Sequence, residues 1–269
     1  MRPNQSECRT GFTLVEMLVV ISLIMLLIAM LMPSLRSARE RARQIKCLAQ
    51  MQQVSQAHRV YGDDFGQVMM PLEYAGTPPA NYVINFPSTL LRWPDMLFPY
   101  APDRDVYDCP TAAQSVRSRG RYGIGLNHIE LSYSWGVKTK IKYTSITRPT
   151  RTVLFADVGS VSNYSELANP DLWEEVRGEQ LIYFLTPNHG HFFSAPPPTG
   201  PGLQQRVVPR HLNNANAAFV DGHGELIKVS DMGFQYYPGV APGGGPARGD
   251  NVIGTGNNQW DARWMWGRQ

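Results

Sequence analysis

An α+β fold, with a long N-terminal helix packed on a C-terminal antiparallel sheet, follows from three features of this sequence. The first is Phe12 to Met32, 21 residues in which only Thr13, Glu16 and Ser22 are not apolar. As a helix that run is ~31 Å long at ~1.5 Å per residue, close to the hydrocarbon thickness of a bilayer. The second is a run beyond Pro33 in which apolar residues recur at helical spacing. The third is a change of texture after Arg121, where short runs rich in β-branched and aromatic residues replace the helical pattern.

Taken in order, residues 1–11 are polar, carry Arg2 and Arg9, and read as a leader; 12–33 read as a transmembrane helix; 34–66 as an amphipathic stem helix; and 67–269 as one α+β globular domain. In the stem, Leu35, Ala38, Ala42, Ile45, Leu48, Met51 and Val54 form the expected buried stripe, and Arg36, Arg39, Arg41, Arg43, Gln44 and Gln52 take the other faces. Tyr61-Gly62-Asp63-Asp64-Phe65-Gly66 supplies the stop. Eight prolines between 67 and 120 leave room only for short elements, with one helical turn expected near Leu90–Tyr100. Strands are expected at Gly125–Val137, Thr152–Asp157 and Gln180–Leu185. A hairpin is expected from Ala217–Val220 to Glu225–Val229, turning at Asp221-Gly222. Gly and Pro make up 45 of 269 residues, roughly 17% against an average near 12%, which predicts long loops at 195–209 and 238–258. Trp260, Trp264 and Trp266 are expected to pack on the sheet.

Composition narrows function. A formal charge of +3 is too small to imply a nucleic-acid partner, and the arginine cluster of the stem has no interleaved aromatics, so it reads as a solvated face. No G-x-S-x-G, P-loop or dinucleotide fingerprint is present, so no enzyme is expected. Glu16 is the anomaly: a carboxylate inside a membrane span costs roughly 2.5–3.5 kcal/mol at mid-membrane and less near an end, so it needs a partner.

Gly11-Phe12-Thr13-Leu14-Val15-Glu16-Met17-Leu18-Val19-Val20-Ile21 resembles the N-terminal motif of type IV pilins and type II secretion pseudopilins. The resemblance implies a pilin-like fold, cleavage between Gly11 and Phe12 by a prepilin peptidase, N-methylation of Phe12, and pairing of Glu16 with the N-terminal amine of a neighbouring subunit. It implies a bacterial inner-membrane protein, single-pass, with its C-terminal domain extracytoplasmic. Its partners would be other copies or related pilin-like subunits, and the peptidase/methyltransferase. Flanking charge points the other way. Arg36, Arg39, Arg41, Arg43 and Lys46 against Glu40 outweigh Arg2, Arg9 and the amino terminus against Glu7, which by itself places the C-terminal side in the cytoplasm. The processing motif is the more specific signal and is preferred.

A second resemblance lies at the other end. His211, nine intervening residues and Asp221-Gly222 look like the processing-associated His-x9-Asp-Gly domain that accompanies such N-termini. Lys46-Cys47-Leu48, Asp108-Cys109-Pro110, and Arg148-Pro149 ahead of Val153–Asp157 agree with it. It implies no chemistry. On residues alone, Asp221 caps a turn and His211 pairs with it across the hairpin. No metal or other cofactor is expected. Asp157 and Asp221 are weak candidates for calcium, without an EF-hand spacing. His189-Gly190-His191 with His211 and His223 hints at zinc without an HExxH or Cys-pair pattern. Cys47 and Cys109, both beyond the apolar run, are either a disulfide or two unpaired buried thiols. The disulfide would close a loop of about 60 residues and contribute ~4 kcal/mol.

The expected function is therefore a structural subunit of a pseudopilus or type IV pilus-like filament. A membrane-tethered binding module or adhesin is the alternative, and an anchored hydrolase using His211 a more distant one.

Overall fold

The computed structural model describes residues 12–76, 90–112, 123–128, 131–132, 140–161, 170–176, 182–185 and 206–232. The chain divides into two compact units, Met1–Ala42 and Arg43–Gln269.

Helix α1 runs from Leu14 to Asp64 and continues through Pro33, whose missing N–H removes one backbone hydrogen bond. In the first unit its large apolar side chains are exposed, and this stretch is long and apolar enough to cross a membrane. In the second unit the helix buries Cys47, Gln50, Met51, Val54, Ser55, Ala57, His58 and Gly62. The stripe read from the sequence therefore needs correction. Leu35 and Ile45 are exposed and Leu48 is half-buried, while Met51 and Val54 are fully buried. Steps of three residues fall short of a 3.6-residue turn and drift by about 60° each, so Ile45 lies about 120° around the helix from Met51. The helix stops where expected: Phe65 N–H bonds to Tyr61 C=O, and Gly66 takes a left-handed φ of 69°.

After α1 come the strands β1 (Glu73–Ala75) and β2 (Leu90–Arg92), an antiparallel pair, and the one-turn helix α2 (Trp93–Leu97). The main sheet comprises β3 (Ile124–His128), β4 (Val153–Val161), β5 (Glu175–Val176), β6 (Tyr183–Leu185), β7 (Arg206–Val207), β8 (Ala215–Phe219) and β9 (Gly224–Ile227). Its path is β6-β3-β4-β8-β9, with β5 and β7 also paired to β4. All pairs are antiparallel except β3 with β6.

The expected strands are present with shifted ends. The first is described from Ile124 to His128, and Leu131–Ser132 are not strand. The second does not end at its acid but runs four residues past Asp157 to Val161. The expected loop at 195–209 contains β7, while 238–258 and the three tryptophans lie outside the described residues. The β8–β9 hairpin turns at Asp221-Gly222, with Gly222 at a φ of 96°.

Alternation along β8 sets the layers. Ala215, Ala217 and Phe219 join one apolar cluster with Val153, Val158 and Phe184. Ala218 and Val220 join the other, which holds Met51, Val54, Trp93, Tyr107 and Phe155. Backbone carbonyls tie the helix to the sheet: Ser55 Oγ donates to Phe219 C=O at 3.0 Å, and Asn216 Nδ2 donates to Gln44 C=O at 3.3 Å. Gly224 permits this closeness, since a Cβ there would sit 2.8 Å from Gln52 Cγ.

Candidate functional site

Two places in the chain hold residues singled out by the sequence, one in each compact unit. The first is the start of α1. Gly11 lies outside the described residues, and Phe12 is exposed. Thr13 is the N-cap. Its backbone N–H and its hydroxyl both donate to Glu16 Oε2 at 2.8 Å, and its Oγ1 accepts from the Glu16 N–H at 3.3 Å. That is a reciprocal capping box, and it satisfies two orphan donors of the helix start. The capping box gives the Glu16 carboxylate polar partners without neutralising its charge.

The second place is inside the globular unit. Asp157 sits mid-strand on β4, next to the register pair Ala156–Ala217. Its Oδ2 accepts from the Asn216 N–H of β8 at 2.7 Å, and its Oδ1 accepts from Arg210 Nη1 at 3.1 Å and faces Cys47 Sγ at 3.5 Å. Cys47 comes from α1. Cys109 comes from the stretch after the 3-10 turn Arg104–Tyr107, and its Sγ lies 3.4 Å from His211 Nε2. His211 opens a tight turn in which it exchanges two backbone hydrogen bonds with Asn214, while Leu212 and Asn213 adopt φ of 50° and 62°. A leucine in the left-handed region is costly, on the order of 1 kcal/mol or more, so the turn is held by its surroundings. His211 Nε2 is also 3.7 Å from Asp157 Oδ2. One donor atom from each of Cys47, Cys109, Asp157 and His211 lies within 4.8 Å of every other, and all four residues are buried.

Arg210 borders the group. Its guanidinium, 2% exposed, donates to Glu175 through Nε at 2.8 Å and Nη2 at 2.6 Å, and to the carbonyls of Gly123 and Val158. Burial pushes the Asp157 carboxyl up to about 6, reinforced by charge on Cys109 and opposed by Arg210, His211 and the Asn216 N–H. Burial also works against ionising Cys109, but Cys47, Arg210 and His211 outweigh it and hold the thiol below its ordinary value. Cys47 is held above its own, through its hydrogen bond to Cys109, burial and the charge of Asp157. His211 is raised: burial lowers it, but the bond to Cys109 and the charge of Asp157 prevail.

Of the two alternatives for Cys47 and Cys109, the structure has the unpaired buried thiols, Cys47 engaged toward Asp157 and Cys109 toward His211. His211 does not pair with Asp221. Asp221 accepts instead from the His223 N–H at 3.2 Å and lies 2.6 Å from its Nδ1, and the His223 ring stacks on Phe219. Asp221 and Gly222 thus shape the hairpin turn, while Asp157, the other acid considered for calcium, faces sulfur and nitrogen donors that suit a softer ion. His189 and His191 lie outside the described residues. Nε2 of His211 faces both Cys109 and Asp157, whereas a triad histidine uses one nitrogen for its nucleophile and the other for its carboxylate. Arg210, Glu175 and Asn216 were not anticipated; no local motif marks them.

Residues 8–32 match the family model of the prokaryotic N-terminal methylation motif. No curated protein and no solved structure matches the chain.

Proposed function

We propose that the protein is a structural subunit of a pseudopilus or type IV pilus-like filament, cleaved between Gly11 and Phe12, methylated on Phe12 and held in the inner membrane before assembly. The observation that carries this reading is the methylation motif at residues 8–32, whose stretch Leu14–Met32 opens a long helix and exposes its apolar side chains. A prepilin-type N-terminus needs a processing site, an apolar helix and an acid near its start, and Phe12, Leu14–Met32 and Glu16 supply them.

On this reading the apolar surface is covered by lipid before assembly and by other subunits afterwards. Glu16 exchanges its hydrogen bond from the Thr13 N–H for the methylated amine of a neighbour, which adds the opposite charge that the capping box lacks. The globular unit is extracytoplasmic and its role is architectural rather than catalytic. Mass spectrometry of the N-terminus of protein isolated from its native membrane tests the proposal. A chain starting at N-methyl-Phe12 is expected; a native chain that retains residues 1–11 would overturn it.

A further inference from the structure

We infer that Cys47, Cys109, Asp157 and His211 form a closed tetrahedral site for one zinc-type divalent cation, which locks the stem part of α1 to the sheet. The geometry is that of four donor atoms gathered in one buried cluster. Bonds of about 2.0–2.3 Å at the tetrahedral angle place neighbouring donor atoms about 3.3–3.8 Å apart. Two neighbouring pairs fall in that range, Cys109 Sγ to His211 Nε2 at 3.4 Å and Cys47 Sγ to Asp157 Oδ1 at 3.5 Å, and one ligand atom from each of the four residues lies within 4.8 Å of every other. Hydrogen bonding accounts for the group less well. One imidazole N–H cannot serve Cys109 and Asp157 equally, and a thiol is a weak donor to a buried carboxylate.

The chemistry of the set agrees. Two sulfurs, one imidazole and one carboxylate suit a borderline-soft cation that accepts four ligands, and four protein ligands leave no open position, so the site is structural. Binding releases both thiol protons. Two thiolates and a carboxylate around a dication leave one net negative charge, and the Arg210 guanidinium stands against it, donating to Asp157 Oδ1 at 3.1 Å. The Asn216 N–H fixes the other carboxylate oxygen. Ligating carboxylates are commonly oriented by such outer partners. The four ligands come from α1, the Cys109 stretch, β4 and the turn before β8, so the ion would cross-link four segments remote in sequence.

The test is metal analysis of the full chain, extracted in detergent without chelators. Roughly one zinc per chain is expected, lowered several-fold in Cys109→Ser and His211→Ala. After reduction and removal of metal, cobalt(II) should restore tetrahedral d–d absorption and thiolate charge transfer. His211→Cys keeps four donors, so it should retain the ion with stronger charge transfer, which separates loss of a ligand from misfolding. Reduced, folded protein that takes up no cobalt would overturn the inference. So would a Cys47–Cys109 disulfide in the native protein followed by no uptake on reduction, or full zinc content in His211→Ala. These readouts do not depend on filament assembly, so this inference and the proposed function can fail separately.

Discussion

From Leu14 to Met32, α1 presents large apolar side chains that are 45–80% exposed; from Cys47 to Gly62, the same helix buries Cys47, Met51 and Val54 completely. Both halves belong to one helix, so the difference lies in what surrounds them. Among the described residues nothing covers the first half, and an apolar surface of that extent marks contact with lipid or another chain. The second half is a component of the globular core, where packing rather than helix propensity supplies stability. One continuous helix thus leaves its apolar side chains uncovered at one end and buries them in the globular core at the other.

The comparison can be broken most sharply at Glu16. Glu16→Ala should abolish incorporation into sheared filaments while leaving removal of residues 1–11 intact. Its cost to the monomer is limited to the lost capping box, about 1 kcal/mol at the helix start. Normal incorporation would overturn the pairing role proposed for Glu16.

Next in size, Met51→Ala should lower the unfolding free energy of the globular unit by about 2–5 kcal/mol, the usual cost of emptying a buried site. Leu27→Ala, 62% exposed in the other half, should leave that transition where it was. Denaturant unfolding of the full chain in detergent reads both, and equal shifts would erase the distinction between the halves.

A third test uses pH. His58, buried on the second half beside Tyr143, Phe155 and Arg59, has its pKa lowered to about 3, by burial first and the Arg59 cation second. The unfolded chain therefore binds a proton at this position between about pH 6.5 and 3 that the folded chain does not. Stability from this group is complete above pH 6.5 and falls as acid is added, by up to ~1.4 kcal/mol per pH unit. Urea midpoints measured between pH 7 and 4 should drop more steeply for the parent than for His58→Gln; parallel curves would show that the histidine is not held neutral.

The smallest effect is expected at Ser55→Ala, which removes the 3.0 Å bond to the Phe219 carbonyl and should cost about 1 kcal/mol in the same unfolding assay.

Features carried by neighbouring residues are legible in the sequence: the apolar span, the end of α1 near Gly66 and the Asp221-Gly222 turn. Each depends on side chains within one or two turns of chain, so periodicity and spacing suffice. The face of the stem that is buried was misjudged, because three-residue steps drift around a helix and only the packed sheet shows which side is covered. The group of Cys47, Cys109, Asp157 and His211 was likewise decided by tertiary structure. Spacing alone pairs His211 with the acid ten residues along, whereas the fold sets it beside the one on β4. The meeting of all four depends on the rotation of α1, the β4–β8 register and the left-handed turn at Leu212-Asn213, none of which is written in any one segment.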